Sequence, residues 1–367
     1  MNRRVDVNTS ILFHLLRVAI GTERVEIQKV EGVVWQSVYA LARKQGVLAI
    51  AFDGLSQLFE ADKEFAKAFP QSLKLQWINA VFNIESRYEY SRTISAEIAE
   101  KWAEQNIKTL CLKGLSFSTY YPIPSHRECG DFDCYLMGDF ERGDRIAEQL
   151  GAKVRFDDYK HSHINYKGLM IENHKFCTPI RGPKINKRFE REIQQLLDEN
   201  DGLTLLDGGA IYSPSPTFNT IFLIKHSMVH FLYEGIKVRH ILDWVCLVKH
   251  EGKNIDWSFV NYWCRLLHLV TFVDLMNAMA NRYFGLELSY IGVAPDDKLV
   301  DRFVRSLLYD DTSVYNNTYP SIWHQRYEIA KNMLASRWKF RDVYNKSLIL
   351  ELMKSSIYAI FEKHPKL

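Results

Sequence analysis

From about Leu73 to Gln105 the chain reads "LKLQWINAVFNIESRYEYSRTISAEIAEKWAEQ", without a glycine or a proline. Apolar residues recur at helical spacing and nothing interrupts them, so the stretch predicts one long helix. At Asn106 the texture changes. "IKTLCL" and "GDFDCYLM" are short β-prone runs, and a helical "FERGDRIAEQLG" closed by Gly151 follows. "HSHINY" and "LMIENH" come next, joined by Lys167-Gly168 in a hairpin signal. Strands and helices that mix in one segment predict an α+β fold with a small mixed sheet.

The flanks read as helices. "VVWQSVYALARKQG" ends on Gly46, and "VLAIAFDGLSQLF" is a second candidate. Beyond the sheet segment, "TFNTIFLIKHSMVHFLYEG", "RHILDWVCLVKHEG" and "DWSFVNYWCRLLHLVTFVDLMNAMANRYFG" are helical, and helices continue to the end. "PDDKLVDRFVRSLLYDDTSVYNNTYPS" is the least regular part and is expected to contain a surface loop. A chain of 367 residues is too long for one small core. The expected division is a helical N-terminal region over 1–105, a mixed core over 106–200 and a helical C-terminal domain over 201–367.

Composition excludes several classes. Hydrophobic residues at 47% with charged residues at 25% argue against disorder, and a net charge of +3 is too small to point to nucleic acid. The six cysteines form no CxxC pair, which removes zinc-ribbon and thioredoxin-like readings. Most lie in apolar runs such as "TLCLKG" and "DWVCLV", so a reducing cytoplasm fits best. The run "ILFHLLRVAIG" is broken by His14 and Arg17, and no small-residue cleavage site follows it. It is expected to be an amphipathic helix capped by Asn8, Thr9 or Ser10 and ended by Gly21. No stretch is long and apolar enough to span a bilayer, so no membrane partner is expected. Arg181, Lys184, Lys187 and Arg188 read as a solvated basic loop running into a helix.

The chemistry lies in "RECGDFDCYL". Strand side chains alternate, so Asp131 and Asp133 share a face while Phe132, Cys134 and Leu136 take the other. Two adjacent carboxylates either face water at a strand end or share a hard divalent cation. In "LMIENH", Met170, Glu172 and His174 share one face, and a neighbouring strand would bring Glu172 to the aspartates. Three carboxylates with little to neutralise them suit Mg²⁺, or Mn²⁺. Upstream, "LCLKGLSFSTYY" ends a strand at a glycine that opens a short helix. Gly114 permits a tight turn there, and backbone N–H groups, Lys113, Ser116 or Ser118 can meet phosphate.

"IKHSMVHFLYEG" puts His226 and His230 on one helix face, without the glutamate of an HExxH metal motif. That face can bind a metal, close over the site together with Arg239, or make a polar contact between helices. Asp243 is expected to pair with Arg239 four residues earlier. His161, His163 and His174 cluster in the hairpin, and His174 is expected to hydrogen-bond a metal ligand.

"LKGLSFSTYYPIPSHRECGDFDCYL" resembles the LKG…YP…R…GDxD signature of an uncharacterised bacterial nucleotidyltransferase family, NTP_transf_5, within the DNA polymerase β-type superfamily. "VWQSVYALARKQGVLAI", "MIENH" and "KHSMVHFLYEGIKVRHILDW" followed by "IDW" extend the likeness over about residues 30 to 260. The resemblance implies a polymerase β-like core that moves a nucleoside monophosphate from an NTP to a hydroxyl or phosphate acceptor. It implies Asp131 and Asp133 as metal ligands and Glu172 as the third carboxylate, either a ligand or the base. Gly114 would make the phosphate turn, and Arg127 would contact a phosphate or brace the strand. The superfamily favours Gly-Ser in that turn, whereas Leu115 follows Gly114 here and Ser116 comes one place later. That departure keeps a non-catalytic, NTP-binding or regulatory relative as the alternative, with a hydrolase built on the histidine helix behind it. Nothing in the sequence identifies the acceptor or the oligomeric state, and no aromatic-basic strip points to nucleic acid.

Overall fold

The long helix is the spine of the molecule. A computed structural model describes residues 5–26, 31–156, 159–198, 203–310 and 321–361. Helices α1 (Val7–Ala19), α2 (Trp35–Gln45), α3 (Leu48–Ala61) and α4 (Lys63–Ala68) precede α5 (Gln71–Ala103). Along α5, Trp77, Val81 and Ile84 join the larger apolar core with α1, α2 and α3. Further on, Ile94, Ile98, Ala99 and Trp102 join a second core behind the sheet. One helix therefore ties the N-terminal layer to the strands. Its indoles are also satisfied: Trp77 Nε1 donates to the Leu48 carbonyl at 3.0 Å and Trp102 Nε1 to that of Gly143 at 3.1 Å.

The middle of the chain supplies β1 (Thr109–Cys111), α6 (Leu115–Ser118), β2 (Phe132–Tyr135), α7 (Phe140–Gln149), β3 (Lys153–Arg155), β4 (His161–Tyr166), β5 (Leu169–His174), α8 (Lys184–Asp198), β6 (Thr204–Leu205) and β7 (Ile211–Ser213). The strands form one sheet in the order β3-β4-β5-β2-β1-β7-β6. The β2–β5 and β1–β7 pairs are parallel and the others antiparallel. The fold is α+β with a mixed sheet and helical flanks, as the sequence predicts. Lys167 and Gly168 both have positive φ, 49° and 87°, which is what a two-residue hairpin turn with the twist of its strands requires. Lys153 and Arg155 are exposed on the edge strand β3, where charge discourages pairing with another chain.

Helices α9 (Pro216–Tyr233), α10 (Val238–Glu251), α11 (Trp257–Leu266), α12 (Val270–Phe284), α13 (Asp297–Tyr309), α14 (Ile322–Ala335) and α15 (Leu348–Phe361) complete the chain. Among the described residues, no helix is long and apolar enough to cross a membrane.

Several local expectations change. The cap of α1 is Asp6, whose Oδ1 accepts from the Asn8 and Thr9 amides at 3.0 and 3.1 Å, rather than Asn8, Thr9 or Ser10. The run after Asp256 is two helices, because His268 turns to φ 57° between α11 and α12. Within "PDDKLVDRFVRSLLYDDTSVYNNTYPS" α13 is a regular helix, and the expected loop falls on 311–320, outside the described residues.

Candidate active site

The alternation of β2 sorts its side chains to two environments. Phe132, Cys134 and Leu136 pack into the core behind the sheet with Ile98, Trp102, Ile164 and Ile171. Asp133 takes the opposite face, and the parallel register sets it directly beside Glu172 of β5. The antiparallel hairpin then sets His163 opposite Glu172 and His161 opposite His174. β3 continues the row with Arg155 opposite His163. Across four strands one row therefore reads Arg155, His163, Glu172, Asp133. Asp131 stands at the lip of β2 and is exposed, whereas Asp133 is 2% exposed.

Charge is concentrated here. Lys113 Nζ lies 2.9 Å from Asp133 Oδ1. His174 Nε2 lies 3.3 Å from the same oxygen and 3.5 Å from Glu172 Oε2, and His163 Nε2 lies 3.8 Å from Glu172 Oε1. Burial alone would raise the Asp133 pKa, but Lys113 and His174 outweigh it and hold the carboxyl well below the usual range. The His174 hydrogen bond likewise lowers Glu172. Burial opposes the charged form of His174, yet its bonds to Asp133 and Glu172 raise its pKa. Asp131 goes the other way. Partial desolvation, then the charges of Glu172 and Asp133, push it up, so its negative charge is the one least compensated. His161 is pushed down to about 4, chiefly by burial, and stays a neutral imidazole.

The phosphate turn is only partly as expected. Gly114 has φ 60° and ψ −109°, a conformation that side chains rarely adopt, and a Cβ there would approach the Asp131 carbonyl at 3.8 Å. The Leu112 amide donates to the Asp133 carbonyl at 2.9 Å, so β1 and the turn are tied to the aspartate strand. Ser116 faces elsewhere: its hydroxyl is buried, 2.5 Å from Ser213 Oγ and 3.4 Å from Asn219 Nδ2. Ser118 is buried as well, 3.0 Å from the Tyr88 hydroxyl.

Arg127 braces. Its Nε and Nη2 donate to Oδ1 and Oδ2 of Asp243, each at 2.8 Å, and the Tyr121 hydroxyl donates to Asp243 Oδ1 at 2.7 Å. Asp243 therefore pairs with Arg127 across the fold and not, as sequence spacing suggests, with Arg239. Arg239 Nη1 instead donates to the Glu128 carbonyl at 2.7 Å, holding the segment that leads into "GDFD". On α9 the His226 and His230 rings stand 4.4 Å apart, and His230 Nδ1 lies 2.7 Å from Glu234 Oε2. Burial, then the charge of Lys113, holds His226 well below its ordinary pKa, with Asp133 acting weakly the other way. Among the described residues the donor atoms that converge belong to His161, Glu172 and His174 rather than to His226 and His230.

The sequence reading groups His161 with His163 and His174 in the hairpin but does not assign it to the Glu172 face. The signal was present: counting back from the Lys167-Gly168 turn sets it opposite His174. The Arg127–Asp243 pair had no such signal, because its members are 116 positions apart.

No curated protein and no solved structure matches the chain. The model of the NTP_transf_5 family, described as uncharacterised nucleotidyltransferase, matches residues 31–285, and the chain belongs to that family.

Proposed function

We propose that this protein transfers a nucleoside monophosphate from an NTP to a hydroxyl or phosphate acceptor and releases pyrophosphate. The observation that carries the reading is the β2–β5 register, which sets Asp133 beside Glu172 with Asp131 at the lip. The donor set fits Mg²⁺ (or Mn²⁺): three carboxylates gather at the β2–β5 seam, where partial desolvation, then the charges of Glu172 and Asp133, push Asp131 up. Asp131, Asp133 and Glu172 would hold the metal, which when bound supplies charge neutralisation to the triphosphate and its leaving pyrophosphate.

The chain's own groups do the positioning. Lys113, beside Asp133 and one residue before the Gly114 turn, adds a fixed positive charge for phosphate. Glu172, kept ionised by His174, serves as a ligand or as the acceptor of the incoming hydroxyl's proton. The Arg127–Asp243 pair and the Arg239–Glu128 bond hold the strand's approach in place. A cavity of about 420 Å³ opens on the same sheet face, lined among others by Lys153, Arg155, His163, Asn165 and Lys167. It adjoins Glu172 through His163, so the acceptor would lie there, and its basic lining favours an acceptor with negative charge.

A second reading keeps NTP binding without transfer. It is favoured by the buried hydroxyl of Ser116, which leaves the turn without the serine that the superfamily uses. Pyrophosphate release decides between them. In the presence of NTP, Mg²⁺ and a panel of hydroxyl and phosphate acceptors, the wild type should release pyrophosphate. Asp131→Asn and Asp133→Asn should abolish it while the circular dichroism spectrum is retained. Release at wild-type rate in either variant would sink the mechanism.

A further inference from the structure

The hairpin carries a second constellation on the face that holds the carboxylates. One donor atom each of His161, Glu172 and His174 lie within 4.8 Å of one another. The His161 and His174 rings stand 5.2 Å apart between centres, and each residue is 7% exposed. Without a metal, an ion pair accounts for His174, whose Nε2 meets both Asp133 and Glu172, and an ion bound there would displace its proton. The ion pair does not explain His161. That ring contacts the rings of His163 and His174, and its buried Nδ1 has no hydrogen-bond partner among the described residues. A buried polar nitrogen left unpaired costs about 1–3 kcal/mol in general, so a second imidazole in that position calls for a ligand.

Two imidazoles and one carboxylate are not a magnesium set. Hard, small cations take oxygen donors, whereas imidazole favours borderline transition ions, and a two-histidine, one-carboxylate set is a recurrent site for them. We infer that His161, Glu172 and His174 form a binding site for a borderline divalent transition ion, of the class of Fe²⁺, Co²⁺ or Zn²⁺, at the border of the carboxylate cluster. The register makes the site sturdy. Glu172 and His174 are two apart on β5, His161 is fixed opposite His174, and the tight turn at Lys167-Gly168 prevents a slip of β4. Glu172 belongs to both this site and the proposed transferase centre, so a transition ion held here would sit next to the triphosphate and could replace Mg²⁺ at one position.

The test uses the full chain without nucleotide, so its failure leaves the transferase reading untouched, and failure of NTP binding leaves this inference untouched. Co²⁺ is titrated into the wild type and into His161→Gln while visible absorption is recorded, with a large excess of Mg²⁺ present throughout. One Co²⁺ per chain with ligand-field bands is expected, and binding at least about tenfold weaker in His161→Gln. A second measurement needs no variant: X-ray absorption of the Co²⁺-loaded wild type, again with Mg²⁺ in excess, should show scattering from two imidazoles. Equal Co²⁺ affinity in wild type and a folded His161→Gln, loss of Co²⁺ to Mg²⁺, or an absence of imidazole scattering would each overturn the inference.

Discussion

Asp133 on β2 stands beside Glu172 on β5, and the single Nε2 of His174 reaches both, at 3.3 and 3.5 Å. The two aspartates of the doublet therefore do different jobs in the folded chain. Asp133 is buried against Lys113 and His174, and its ionised form is stabilised by them. Asp131 is exposed and repelled by its neighbours. Asp133→Asn should lower the urea midpoint, because it leaves Lys113 and His174 without their shared counter-charge. Asp131→Asn should leave the midpoint unchanged or raise it, because it removes repulsion. A larger loss for Asp131→Asn than for Asp133→Asn would contradict this assignment of charge.

The Arg127–Asp243 pair is a deeply buried ionic contact at the approach to the site. Burial by itself would raise the Asp243 pKa, and Arg127 more than offsets it, so the folded value lies below the usual carboxylate range. A depressed pKa means that the stabilisation is present above the ordinary value of about 3.9 and is lost as pH falls through the folded value. Arg127→Met should cost about 3–5 kcal/mol near neutral pH, with a smaller difference from wild type in strong acid. Arg127→Lys should recover only part of it, since an ammonium cannot reproduce the paired geometry. Denaturant melts across the acid range check both statements.

A second tie has the opposite sign. His126 Nδ1 lies 2.8 and 2.9 Å from the two Asp53 oxygens, and its Nε2 lies 2.9 Å from Glu85 Oε1, joining α3 to α5 just before Arg127. Burial disfavours its charge, but Asp53 and then Glu85 raise its pKa above the ordinary value. That stabilisation is complete below about pH 6.5 and fades as pH rises through the folded value. The wild type should therefore lose stability relative to His126→Gln between neutral and alkaline pH. A difference that stays constant through that window would show that the imidazole is not charged in the fold.

Gly114→Ala probes the turn. The backbone there occupies a region open mainly to glycine, and the open space around it makes strain, not clash, the cause of the loss. About 1–3 kcal/mol of stability should disappear, read as a shift of the thermal midpoint. A neutral substitution would mean that the turn relaxes to an ordinary conformation.

What could be read in the sequence was local. The long helix, the aspartate strand and the hairpin each rest on periodicity or turn chemistry within a few residues, and each is found in the structure. β3, β6 and β7 are two or three residues long, too short for alternation to register. The break at His268 carries neither glycine nor proline, so nothing marked it. The partner of Asp243 was misread because helical spacing offered Arg239, while the fold delivers Arg127 from far along the chain. Alternation puts Asp133 on the face opposite Phe132 and Cys134, but its meeting with Glu172 depended on a parallel neighbour that no local pattern encodes.

The most direct test is a calorimetric titration of the four NTPs with Mg²⁺ into the wild type and into Asp131→Asn/Asp133→Asn. The account predicts Mg²⁺-dependent binding of at least one NTP, lost in the folded double variant. Equal binding to both proteins, or no binding of any NTP to the folded wild type, would contradict a triphosphate site at the Asp131, Asp133 and Glu172 carboxylates.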